Sequence, residues 1–140
     1  MKKYWLFFGF LSAAVATAYA VRSPEQQVQE FVFALHNNGD VAQALEKLCK
    51  DSPSYALHPD RLREASTAIE AVLKEFGAVK FSRLLKREDL APVLKRVSLV
   101  SDTAGGPIFW GVTFYRRDPN VEDWSIVSLR VSGSAEEIVK

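Results

Sequence analysis

Residues 106–115 read GPIFWGVTFY, the most strand-like stretch of the chain. Aromatic and β-branched residues are enriched in strands, and successive strand side chains point to opposite faces. One face carries Ile108, Trp110, Val112 and Phe114, and the other carries Phe109, Gly111, Thr113 and Tyr115. Because both faces are largely apolar, we expect both to be partly covered. Either the sheet curls around a pocket, or its outer face is an oligomer or partner interface.

Three further strands are predicted around this one. Residues 79–86 alternate between apolar and polar and predict the first strand, and residues 93–101, rich in β-branched residues, predict the second. The stretch quoted above belongs to a third strand over 108–117, and residues 124–132 form the fourth. The connections are short: a polar break at 87–89 and turn signals at 102–107 and 118–120. Short connections predict an antiparallel meander, because parallel pairing needs long crossovers.

The residues before the strands follow a helical period. Ser23 and Pro24 can open a helix that ends at Asn37-Asn38-Gly39, and Asp40 can cap a second, shorter one. A third helix runs from near His58 to Gly77. The predicted fold class is α+β, with three N-terminal helices packed on one face of a curved four-stranded antiparallel sheet.

The N-terminus has the pattern of a secretory signal. Two lysines precede an apolar run, and Ala18-Tyr19-Ala20 predicts cleavage after Ala20. The alternative is an uncleaved membrane anchor. We therefore expect a signal peptide over 1–20, one domain over 21–132 and a fraying tail over 133–140, in a periplasmic or secreted protein.

Charge and cysteine content exclude several classes of protein. The chain has 18 basic and 17 acidic residues, and removal of the two N-terminal lysines leaves 16 and 17, a net charge of −1. A nucleic-acid binder usually shows a strong basic excess, so nucleic acid is not an expected partner. The single cysteine cannot form an internal disulfide or a multi-cysteine metal site.

The order of helices and strands resembles the nuclear transport factor two-like superfamily over roughly residues 24–132. The most specific part is GPIFWGVTFY at 106–115 followed by WSIVSL at 124–129, which looks like the ending of small secreted members of unknown function. The resemblance implies a cystatin-like cone. Members include isomerases, dehydratases and non-catalytic binding or dimerisation modules. Enzymes of the superfamily use Asp, His or Tyr in the cone mouth, and no such constellation matches here.

A ligand pocket lined by aromatic residues is one hypothesis. It would use Trp110, Phe114, Tyr115 and Trp124, whose rings suit apolar ligands and, in Tyr and Trp, add a polar group. The alternative is that these side chains are core residues. Arg130 has the strand parity of Trp124 and could orient an acidic ligand.

The remaining candidates favour structural roles. His36 and His58 have no ligand-like spacing, and Cys49 lies near the apolar face of its helix, which predicts burial. Residues 80–96 hold six basic and two acidic side chains, either an anion or partner surface or a solvated edge protected by charge. We predict no catalytic residue, metal or cofactor, and a membrane contact only if the signal segment is retained. The favoured function is an exported binding module that dimerises through its sheet or joins an envelope protein. One alternative is an isomerase- or dehydratase-like enzyme. Another is a protein that binds a small apolar or acidic ligand.

Overall fold

The computed structural model describes residues 22–36 and 39–139, so the predicted signal peptide and the Asn37-Asn38 helix stop lie outside the described residues. The described part is an α+β unit of four helices and one open sheet of four antiparallel strands, in the spatial order β1-β2-β3-β4. The helices are α1 Pro24–Ala34, α2 Val41–Cys49, α3 Pro53–Leu57 and α4 Pro59–Phe76. The strands are β1 Phe81–Ala91, β2 Leu94–Thr103, β3 Gly106–Tyr115 and β4 Ser125–Ser132, followed by a 3-10 turn at Ala135–Glu137.

Capping side chains fix the helix ends much as the sequence predicts. Ser23 and Gln26 form a reciprocal capping box on α1, and the Asp40 carboxylate accepts the backbone N–H of Gln43 at 3.0 Å. Gly77 ends α4 with a φ of +98°, a conformation that favours glycine. These starts and stops are confirmed.

The short helix α3 was not predicted, because the sequence around Asp51 and Ser52 indicated only the end of α2. Pro53 opens this helix at a position where proline's fixed φ is favourable. The buried Ser52 hydroxyl donates to the Ile126 carbonyl oxygen at 2.6 Å. This hydrogen bond fastens the start of α3 to β4.

The predicted end of the first strand near Lys86 is wrong. β1 continues through the polar residues 87–89 to Ala91. Opposite charges across neighbouring strands stabilise pairing, and here Arg96 of β2 donates to Glu88 at 3.0 Å. The β1–β2 register shifts at Leu85 and again at Leu90, so the strand carries two irregularities.

One core fills the space between helices and sheet. Its buried side chains include Val28, Phe31, Leu45 and Ile69 from the helices and Val97, Leu99, Ile108, Trp110, Val112, Phe114 and Ile126 from the strands. Among the described helices, none is long and apolar enough to cross a membrane.

The C-terminal segment, which was expected to fray, packs on the outer face of the sheet. Ile138 is buried, and a Cβ atom built on Gly111 would lie 3.0 Å from the Ile138 Cγ2 atom. The Ser132 hydroxyl also donates to the Glu137 carboxylate at 2.6 Å. Part of the cover on the second face of β3 therefore comes from the chain's own C-terminus.

We expect Gly111→Leu to displace Ile138, because overpacking of a filled contact costs about 1–3 kcal/mol. Hydrogen–deuterium exchange should show faster exchange in residues 133–139 while β2 and β3 stay protected. Ile138→Ala is the matched control, since it removes the contact without altering the strand and should release the same residues. Unchanged protection in Gly111→Leu would contradict the contact.

Candidate interaction surface

Two of the aromatic residues predicted to line a pocket are core residues. Trp110 and Phe114 are fully buried, on the helix-facing side of β3. The Trp110 ring packs edge-on against Phe31, with 5.7 Å between ring centroids. Its indole N–H donates to the Ser101 hydroxyl at 2.8 Å, and that hydroxyl is 2.6 Å from the Ser82 hydroxyl. Neither aromatic side chain is accessible to a ligand.

Arg130 does not lie on the face predicted from its spacing to Trp124 and Ile126, because β4 contains a register shift. Ile126 pairs with Phe114, but the neighbouring Thr113 of β3 pairs with Ser128, so Val127 is skipped. The shift reverses the alternation, so Arg130 pairs with Gly111 on the outer face, whereas Ile126 faces the core. Tyr115 also lies on the outer face and is 39% exposed. The five predicted site residues therefore do not converge.

Trp124 lies instead in a cluster of charged groups at one end of the sheet. The Arg116 guanidinium carbon is 4.6 Å from the centroid of the Trp124 ring, and the Lys95 ammonium nitrogen is 5.0 Å from it. The Trp124 indole N–H donates to Glu122 at 2.8 Å, and Arg116 donates to the same carboxylate at 2.7 Å. Together, the hydrogen bond from Trp124 and the Arg116 cation hold the pKa of Glu122 below its ordinary value.

The contacts of Arg116 give this cluster a structural role, because they connect two loops at the same end of the sheet. Its Nε atom donates to the Pro92 carbonyl oxygen at 2.9 Å, which ties the β3–β4 connection to the β1–β2 turn. Lys95 and Arg116 each have a carboxylate partner, Asp89 at 3.8 Å and Glu122 at 2.7 Å. Because these cations are already paired, the cluster is poorly suited to bind a further anion.

The same pairing applies to the basic zone between residues 80 and 96. Arg87 lies 3.5 Å from Glu25, and both Lys86 and Arg96 lie 3.0 Å from Glu88. The hydrogen bond from Lys86, followed by the contacts with Arg96, lowers the pKa of Glu88. The zone is a set of ion pairs, which weakens the hypothesis of an anion-binding surface.

The two histidines and the cysteine have separate structural environments. Cys49 is buried as predicted, and burial raises the pKa of its thiol to about 12. His58 precedes α4 without a side-chain capping bond, and His36 packs its ring 5.3 Å from Phe33. Within residues 22–36 and 39–139, no three His, Cys, Asp or Glu side chains are grouped closely enough to hold a metal ion.

Among the described residues, the largest set of exposed apolar side chains lies at the β1 edge, defined here as strand β1 with the adjoining side of α1. Phe33 is 73% exposed, and the others, each 43–48% exposed, are Phe81, Leu84, Leu85 and Leu90. Phe33 and Leu84 line one groove of about 200 Å³ between helix and strand, together with His36, Ser82 and the buried Leu99. The opposite edge of the sheet is more covered, because residues of α4 and Ile138 lie beside β4.

Sequence reasoning missed the β1 edge, although one signal was available. Phe33 falls outside the buried stripe of α1 formed by Val28, Phe31, Val32 and Leu35. A phenylalanine on the polar side of an amphipathic helix indicates either a second contact or an exposed patch. In comparisons with protein-family models, curated proteins and solved structures, nothing matches the chain.

Proposed function

We propose that the protein is an exported, non-catalytic interaction module that binds a protein partner along its β1 edge. The observation that carries this proposal is the outer edge of β1, which pairs with β2 alone in the described sheet, together with its exposed apolar residues and the neighbouring Phe33. The free side of an edge strand presents backbone donors and acceptors that another strand can satisfy, and side-chain pockets then add specificity. Interfaces are also enriched in large aromatic residues such as Phe33.

The filled interior favours this function over the two alternatives that need an open cone. A ligand pocket or an isomerase- or dehydratase-like active site would need space among the aromatic residues of β3, where Trp110 and Phe114 are fully buried. Export is proposed from the N-terminal signal pattern, followed by release after Ala20 into the periplasm or the medium. Membership of the nuclear transport factor two-like superfamily is proposed from the helix-then-meander order, with a curved sheet as its expected form.

A photo-crosslinking experiment tests the use of the β1 edge. A benzophenone amino acid placed at Leu85 of the full chain should give crosslinked species on irradiation in the producing cells. The matched control is the same group at Leu57, a leucine on α3 that is 76% exposed. We expect crosslinks at position 85 to exceed those at position 57, because a specific interface holds the reactive group against one partner, whereas an isolated exposed leucine meets other proteins only in random encounters. Equal or absent crosslinking would contradict the proposal.

A further inference from the structure

The pairing of β1 with β2 determines which side of the sheet each β1 side chain faces. Residues that lie directly opposite one another in paired strands share a face, and successive residues of one strand alternate between the two faces. Leu84 lies opposite the buried Leu99 and is therefore on the helix-facing side. Its neighbour Arg83 lies opposite Val100 on the outer face. A strand added to the free side of β1 would follow the same alternation.

The helix-facing side of this edge suits apolar side chains. The groove of about 200 Å³ has Phe33, Leu84 and the buried Leu99 as its apolar walls, and none of the described carboxylates lines it. Ser82 also lines the groove, but its hydroxyl is 2.6 Å from the Ser101 hydroxyl and already has a hydrogen-bond partner. Because burial of apolar surface is favourable, partner residues opposite Ser82 and Leu84 should be apolar.

The outer side of the same stretch carries a cation without a carboxylate partner. Lys86 and Arg87 are each paired with a glutamate, whereas no described carboxylate forms an ion pair with Arg83. The Arg83 guanidinium carbon lies 5.3 Å from the centroid of the Phe81 ring, and Asp102 of β2 lies opposite Phe81, not opposite Arg83. Opposite charges that face each other across strands stabilise pairing, and like charges oppose it. The partner residue opposite Arg83 should therefore be acidic.

The first irregularity of β1 limits the stretch that a partner can use in this way. The register is regular from Phe81 to Leu84 and shifts before Lys86. Beyond the shift, Glu88 already binds the cations of Lys86 and Arg96. Bulges and charges protect natural edge strands from indiscriminate pairing. Regular pairing is therefore confined to the four residues at which the apolar groove and the free Arg83 lie on opposite sides of the strand.

We infer that the partner of the β1 edge contributes an extended segment in which one acidic residue stands between two apolar residues. The acidic residue lies opposite Arg83 on the outer face. Its two neighbours lie opposite Ser82 and Leu84, where they pack beside Phe33. Opposite residues share a face in parallel and in antiparallel pairs, so the pattern holds for either direction of the added strand. This inference rests on the proposed function, because it names the chemistry of the segment that pairs with the same edge.

Two synthetic peptides that differ in one residue test the inference. The centre of the first peptide reads valine, glutamate, valine, with threonines on both sides, because these β-branched residues favour an extended strand. The second peptide has lysine in place of the glutamate. Each peptide carries a fluorescent label and is titrated with the full chain while its anisotropy is measured. The glutamate peptide should bind about fivefold more tightly, the ratio expected when an opposite charge replaces a like charge beside Arg83.

Three variants separate the charge from the groove. Arg83→Glu should reverse the preference, so that the lysine peptide binds more tightly. Arg117→Glu is the matched control, because it makes the same charge change at an exposed position beyond the end of β3, and it should keep the preference. Phe33→Ala should weaken the binding of both peptides by the same factor, because it removes one wall of the groove and leaves Arg83 in place. Phe33 is 73% exposed, so its truncation should not disturb the core.

Equal binding of the two peptides, or no binding of either peptide to the wild type, would overturn the inference. A preference that Arg83→Glu does not reverse, or that Arg117→Glu reverses as well, would also overturn it. The crosslink at Leu85 decides the proposed function separately. A partner captured there, combined with peptides that bind equally or not at all, would leave the β1 edge as the interface and remove only the inferred pattern of the partner segment.

Discussion

Replacing Trp110 by alanine is expected to lower the free energy of unfolding by about 3–5 kcal/mol, the range for truncating a buried large aromatic residue. The side chain is fully buried at the centre of the sheet, and the change removes its edge-on contact with Phe31. It also removes the indole N–H, which donates a hydrogen bond to the Ser101 hydroxyl at 2.8 Å. Small domains are stable by only about 5–15 kcal/mol, so the variant should approach the limit of folding.

Urea unfolding followed by far-ultraviolet circular dichroism measures this loss. Tyr115→Ala is the matched control, because it truncates an aromatic residue of the same strand that is 39% exposed, and it should cost less than about 1 kcal/mol. Trp110→Phe separates the two contributions, since it keeps an aromatic ring and removes only the hydrogen bond and part of the volume. Equal losses at positions 110 and 115 would contradict the placement of Trp110 in the core.

The local patterns of the sequence predicted most of the elements. Capping residues such as Ser23 and Asp40 act within one turn of their helix, and the alternation along β3 needs only neighbouring residues to be recognised. These signals depend on physics that is local in the chain, so the α+β class with four antiparallel strands followed from them. The short α3 has only one turn and no side-chain cap, which left little for the sequence to show.

The candidate site could not be predicted in the same way, because its geometry depends on pairing between distant residues. The β4 register shift that moves Arg130 to the outer face arises where β4 meets β3, and alternation within β4 alone gives the opposite answer. The burial of Gly111 depends on Ile138, which lies 27 positions further along the chain. The exposure of Leu84 follows from the position of β1 at the edge of the sheet, and strand order is not written in any single segment.

Cys49 is expected to resist thiol reagents in the native protein far more strongly than its residue type suggests. The thiolate is the reactive form, and burial raises the thiol pKa from 9.0 to about 12. At pH 8 that shift reduces the thiolate fraction about a thousandfold, and burial of the sulfur slows the reagent further. Modification by iodoacetamide, followed by intact mass, should be undetectable over hours in buffer and rapid in strong urea. Rapid labelling without denaturant would show that the end of α2 opens readily.

The same shift makes stability fall as the solution becomes alkaline. The unfolded chain loses the thiol proton near pH 9, whereas the folded chain holds it until about pH 12, so the unfolded state binds fewer protons between these values. The free energy of unfolding therefore decreases with rising pH across this window, by up to about 1.4 kcal/mol per pH unit for one group. The stabilisation contributed by the buried thiol is fully present below pH 9.

Tyr55 adds to the alkaline loss of stability in the same direction, because burial and then the charge of Cys49 raise its pKa. Cys49→Ala should flatten the pH profile of urea midpoints above pH 9, and Tyr55→Phe should remove a smaller part of the slope. A profile that is equally steep in Cys49→Ala would assign the alkaline loss to other groups and exclude the buried thiol as its main cause.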